Sequence, residues 1–93
     1  MTFLKTVVKV RLYGILRALG RIDTVEVEAS EVLEACRKAI NTLGYEVSKL
    51  VFDNEGKIYP SILIFKNSRL IKDLTENVNN DDILHIIPPI EGG

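Results

Sequence analysis

The chain has 93 residues, with 12 Lys+Arg against 13 Asp+Glu and a net charge of −1. That length holds one domain with one modest core. The near-neutral charge lacks the electrostatic footprint that nucleic acid or an anionic membrane surface requires, so neither is an expected partner. The 46% hydrophobic and 27% charged content is that of an ordinary soluble globular domain. No apolar run approaches the ~20 residues of a membrane span.

Cysteine and histidine usage narrows the chemistry. Cys36 is the one cysteine, which excludes an internal disulfide. Met1-Thr2-Phe3-Leu4-Lys5 lacks the apolar stretch of a signal peptide. A reducing cytoplasm is therefore the expected compartment. One histidine and one cysteine do not make a zinc site of the usual kind, and no glycine-rich phosphate cradle occurs. No bound cofactor or metal is expected, and the chain lacks the side chains of an enzyme in its own right.

In residues 7–13, Val8, Val10 and Leu12 alternate with Lys9 and Arg11, the period-2 pattern of a half-buried strand. The stretch from Gly14 to Gly20 is short for a helix and reads as a packed turn. Thr24 to Glu28 alternates again and predicts a second strand, paired with the first as a hairpin. Ser30 is the expected N-cap of a helix. Glu31 and Glu34 sit in its first turn, and Val32/Leu33, Cys36, Ala39/Ile40 and Leu43 form its apolar stripe. Cys36 is thus read as a small core thiol. Gly44 is the expected left-handed C-cap.

Asp53-Asn54-Glu55-Gly56 is a turn signal inside the less clear segment 45–60, flanked by Val51-Phe52 and Ile58-Tyr59 as a possible short hairpin. Ser61 to Phe65 predicts a strand. Asn67-Ser68 turns into a short strand at Arg69-Leu70-Ile71. Residues 72–80 read as a turn with room for one helical loop. Asn79-Asn80-Asp81-Asp82 is a loop by composition, and Ile83 to Ile87 is the last strand. One amphipathic helix on a mixed sheet of four to five strands is an α+β layout whose topology fits a β-grasp.

The strands at 62–65 and 83–87 lack a polar face, although a sheet covered on one side should have one. Leu84 and Ile86 are assigned toward the helix, so Ile83, His85 and Ile87 point away. Leu63 is assigned inward and Ile64 outward. The result is an apolar patch of Ile64 and Ile87, edged by His85 and Tyr13, of the kind that marks a partner site. The alternative is that 45–60 folds over this face as a second core.

The chain ends Pro88-Pro89-Ile90-Glu91-Gly92-Gly93. The prolines lack N–H groups, so the strand ladder stops after Ile87 and the exit is stiff and extended. This divides the chain into a body at 1–87 and a flexible functional tail at 88–93. Ile90 is an apolar anchor, and Glu91 is a solvated spacer or an ionic contact. Gly92 and Gly93 lack Cβ atoms, so their backbone can thread a narrow slot in another protein. The Gly93 carboxylate is a poor electrophile that becomes a good one as an acyl-adenylate, open to attack by a thiol, persulfide or amine. An inert, frayed end is the opposing reading.

Ile86-Ile87-Pro88-Pro89-Ile90-Glu91-Gly92-Gly93 is similar to the ending of the small subunit of molybdopterin synthase. Val8 to Leu19 with Tyr13 and Arg17-Ala18-Leu19-Gly20, Ser61 to Leu74, and Asp81-Asp82 extend the likeness over nearly the whole chain. The chain thus resembles the ubiquitin-like sulfur carriers of the MoaD/ThiS type. Leu63-Ile64-Phe65 and Leu84-His85-Ile86-Ile87 are also similar to segments of ubiquitin, whose arginine-rich tail is absent here. The resemblance implies that an E1-like adenylyltransferase activates Gly93 with Mg-ATP. A persulfide protein then converts it to a thiocarboxylate, and the large molybdopterin synthase subunit receives the tail. The alternatives are a protein modifier joined to target lysines through Gly93, a role in tRNA thiolation, a thiamin-pathway carrier, or an interaction domain with an inert tail.

Overall fold

The computed structural model describes residues 5–90. Strand β1 (Val7–Leu12) is followed by helix α1 (Gly14–Gly20), strand β2 (Thr24–Glu28), helix α2 (Val32–Asn41) and helix α3 (Tyr45–Val51). Strands β3 (Leu63–Lys66), β4 (Arg69–Leu70) and β5 (Ile83–Ile87) complete the order. The strands form one five-stranded sheet in the order β2-β1-β5-β3-β4. β1 runs antiparallel to β2 and parallel to β5, and β3 runs antiparallel to both β5 and β4.

The alternation in β1 does what its chemistry dictates. Val8, Val10 and Leu12 are buried, while Lys9 and Arg11 stay in solvent. Those side chains meet Leu84 and Ile86 of β5 and the stripe Val32, Ala35, Cys36, Ala39 and Ile40 of α2 in one core. α3 adds Val47 and Val51 to that same core and packs against α1 and α2. The 45–60 segment therefore lies with the helices and leaves the opposite sheet face open. Among the described residues, no helix is long and apolar enough to cross a membrane.

Several local expectations are corrected. Gly14 to Gly20 is a helix, anchored by buried Leu16, rather than a turn. Ser30 is not the N-cap of α2. That position is Glu31, and Ser30 instead donates its N–H and hydroxyl to the Glu34 carboxylate at 2.7 and 3.2 Å. This satisfies the backbone just before the helix and holds the Glu34 carboxyl below its usual range, chiefly through the Ser30 N–H. Gly44 does have the left-handed φ expected of it, at +94°, but it is the N-cap of α3; α2 ends earlier, at Thr42. Residues 72–80 contain turns and no helix. The expected pairing across the 53–56 turn is present as a single Phe52–Ile58 bridge.

Candidate functional site

Strand register assembles the open face. Arg11 lies opposite His85, His85 opposite Phe65, and Phe65 opposite Leu70, so one row of side chains crosses four strands. Ile87 opposite Leu63 begins the next row. Directly opposed residues on one face have Cβ atoms about 5 Å apart, which makes these side chains a contiguous surface. The row changes from basic at Arg11 to apolar at Phe65 and Leu70.

The inward assignment of Leu84 and Ile86 holds, since both are fully buried. The assignment within β3 is inverted. Ile64 is 3% exposed and Leu63 is 44% exposed. The pairing Ile64–Ile86 places Ile64 in the core, so it is not a patch residue. Tyr13, His85 and Ile87 do come together on the outer side, and Leu63, Phe65 and Leu70 join them. Both parities of β3 are apolar at Leu63, Ile64 and Phe65, and its one charge, Lys66, shares the buried parity of Ile64 and pairs with Glu76 at the strand end. The pairing register to β5 is the signal that separates them.

Tyr13 and His85 are linked. The phenol oxygen lies 2.7 Å from His85 Nδ1, with the ring centroids 5.7 Å apart. Partial burial holds the His85 pKa below its ordinary value, and the Arg11 charge adds to this, against an opposing contribution from the Asn67 backbone. The neutral ring accepts the phenol proton at Nδ1 when its own proton sits on Nε2. Asn67 itself, at φ +57°, turns β3 into β4 and fastens that corner to β5: its side-chain oxygen accepts from the Ile83 N–H at 3.0 Å.

The tail root leaves from the same end. Tyr13, Gly14, Ile15, Ile87, Pro88, Pro89 and Ile90 line an open, mostly apolar groove of about 430 Å³. Ile90 is 93% exposed. Gly14 and Ile15 are not among the site residues expected from the sequence, since a packed turn at 14–20 does not by itself place them beside the tail. Glu91, Gly92 and Gly93 lie outside the described residues, as does any placement of the Gly93 carboxylate. Cys36 is fully buried in the core, and burial pushes its thiol up to about 12. The thiol is therefore a packing group and not a nucleophile. Among the described residues, no group of His, Cys, Asp and Glu is arranged to hold a metal ion.

No protein-family model matches the chain, and no curated protein is significantly similar to it in sequence. Solved structures do resemble it. Small archaeal modifier protein 1 (SAMP1) from Methanosarcina acetivorans is 20% identical, with a TM-score of 0.81 over 98% of this chain and 100% of that one. A chain in the BexX/CysO complex of Amycolatopsis orientalis is 27% identical, with a TM-score of 0.73 over 92% of this chain and 99% of that one. The complex of subunits 1 and 2 of molybdopterin-converting factor from Helicobacter pylori contains a chain 18% identical, with a TM-score of 0.64 over 95% of this chain and 100% of that one. The chain has the ubiquitin-like β-grasp fold of these proteins, and its likeness is to the carrier and modifier proteins of the MoaD/ThiS type.

Proposed function

We propose that this protein is a ubiquitin-like sulfur carrier whose Gly93 carboxylate is adenylated by a partner and converted to a thiocarboxylate for molybdopterin biosynthesis. The observation that carries the reading is the tail root. Pro88 and Pro89 leave β5 beside exposed Leu63 and half-buried Phe65, His85 and Ile87, so a protein docked on that face has the emerging tail within reach. The body at 1–87 is the handle and 88–93 is the working part. The likeness to a chain in the molybdopterin-converting complex supports the destination of the sulfur, and it supports a large synthase subunit as one partner.

In this reading the chain is a substrate and binds no cofactor of its own. An E1-like adenylyltransferase supplies Mg-ATP. The Gly93 carboxylate attacks the α-phosphorus, forming the acyl-adenylate and releasing pyrophosphate. The terminal sulfur of a persulfide protein then attacks the acyl carbon and expels AMP. A thiol cleaves the resulting acyl disulfide, leaving the thiocarboxylate on Gly93 and a disulfide on the donor side. This chain contributes a docking face, a stiff exit and a terminus without Cβ atoms.

Intact mass spectrometry after incubation with the activating enzyme, Mg-ATP and a sulfur source tests the reading. The expected product has one oxygen replaced by sulfur at Gly93. An unchanged mass with a competent cognate enzyme overturns it. The likeness to SAMP1 favours a second reading, conjugation of Gly93 to target lysines after the same activation. Gly-Gly remnants in isopeptide linkage on cellular lysines distinguish it. If pathway function survives deletion of Gly93, both readings fail and an interaction domain remains.

A further inference from the structure

We infer that Gly14 is a positioning residue for the tail: it sets the direction in which Pro88-Pro89-Ile90 leaves the sheet. This inference rests on the proposed function for its importance, but its geometry stands alone. Gly14 follows Tyr13, which is extended at φ −131° and ψ 158°, and itself has φ +57°. That value is open to glycine and strained for an L side chain. The corner lets Tyr13 stay on the outer face against His85 while Ile15 turns into the groove beside the tail.

The second observation is independent of φ. A Cβ on Gly14 would lie 3.2 Å from Cγ of Pro88, closer than the 3.5–4.0 Å of favourable carbon contacts. The Pro88 ring thus sits in the space that glycine leaves. A proline cannot yield by changing φ, because its ring fixes that angle. A Cβ at position 14 must therefore be met by a shift of a few tenths of an ångström in the Pro88 ring or at the start of the tail. Pro89 and Ile90 lie directly downstream, so a displacement at Pro88 is passed on to them first.

The consequence is a separation of docking from delivery. Leu63, Phe65, Leu70 and His85 lie on strands that Gly14 does not join. Replacing Gly14 with alanine leaves Leu63, Phe65 and Leu70 in place, reaches the docking face only through the neighbouring Tyr13–His85 contact, and misdirects the tail. A displacement of about 1 Å at a reacting group is enough to cost on the order of a hundredfold in rate. The expected signature with the cognate adenylyltransferase, measured by ATP–pyrophosphate exchange, is a fall in kcat of about tenfold or more with KM nearly constant.

The experiment compares the full chain with Gly14→Ala and with a synthetic chain carrying D-alanine at position 14. D-alanine adopts positive φ without strain and turns its methyl away from Pro88. Residual dipolar couplings at the Ile87 and Ile90 amides report tail direction without any enzyme, the intervening prolines having no N–H. The inference holds if Gly14→Ala changes the Ile90 coupling but not that of Ile87, lowers kcat selectively, and is rescued by D-alanine. An unchanged Ile90 coupling in Gly14→Ala overturns it. So does a joint loss of kcat, KM and folding that D-alanine fails to restore. If the unmodified chain is itself not adenylated, the proposed function fails, while the couplings still decide the role of Gly14.

Discussion

Leu63 and Ile64 are adjacent in the chain and occupy opposite environments, 44% and 3% exposed. Removing a buried isoleucine side chain loses its transfer free energy and leaves a cavity, together about 2–5 kcal/mol, whereas an exposed position is usually within about 0.5 kcal/mol of neutral. Ile64→Ala is therefore expected to lower the denaturation midpoint sharply, and Leu63→Ala to leave it near the parent. Under the proposed function, Leu63→Asp is expected to weaken capture by a large synthase subunit in a pull-down without unfolding the chain. Equal midpoints for the two alanine variants would contradict the β3 register. His85 yields a second expectation at this scale. Burial first, and the Arg11 charge second, favour the neutral ring. Neutrality in the fold is thus a stabilising contribution that is present above 6.5, the ordinary histidine value, and is lost as pH falls through the lower folded midpoint. His85 is the one histidine, so its imidazole resonance is unambiguous in an NMR titration. The expected midpoint lies below 6.5 and rises in Arg11→Gln, which removes one of the two causes. A midpoint at or above 6.5 in the native protein would refute the assignment.

At the scale of elements, what could be read from the residues depended on whether polar side chains marked the wet face. β1 and β2 were legible because lysine, arginine and glutamate alternate with valine and leucine. β5 was legible in parity because Leu84 and Ile86 bracket the polar His85. β3 carries its one charge, Lys66, on the buried parity of Ile64, where it marks no wet face, so the side facing the core is the reverse of the expectation, and with it one patch residue. The helices show a different failure. α1 is seven residues that begin and end in glycine, too short for periodicity to declare it, and it is held by burying Leu16 rather than by propensity. Ser30 has the chemistry of an N-cap but spends it on Glu34, one position outside the helix start. Gly44 has the expected left-handed φ, yet it opens α3 instead of closing α2, because Tyr45 to Val51 bury Val47 and Val51 on the same core. Burial across distant elements decided the α1 and Gly44 cases, and local pattern does not contain it, whereas the Ser30–Glu34 pair is a local, exposed contact. Glu76 shows the same dependence. It is bonded to Arg69 and paired with Lys66, which pull its carboxyl down to about 2 and tie the β3–β4 corner to the loop before β5. None of the three positions announces its partners in sequence.

At the scale of the whole molecule, one core serves all three helices and the inner face of the sheet, and Cys36 sits at its centre. Its side chain has no exposed surface, and burial raises the thiol to about 12, so the reactive thiolate is scarce at neutral pH for two separate reasons. Because β1, β5, α2 and α3 all contribute to the packing, no single element can swing away and uncover the sulfur. Exposure requires the core itself to open, and the opening free energy for such a group approaches that of global unfolding. The native protein is therefore expected to resist iodoacetamide at pH 7.5, and to be alkylated once and completely in denaturing urea. Intermediate urea should raise the alkylation rate in parallel with the unfolded fraction followed by circular dichroism. Native alkylation at the rate of a free thiol would show that the core opens locally. The same protection bears on the proposed chemistry: sulfur added under native conditions is not expected on Cys36, so iodoacetamide should alkylate two separate sulfurs in the unfolded, sulfur-loaded chain, the Cys36 thiol and the thiocarboxylate, and fragmentation should place the second on Gly93.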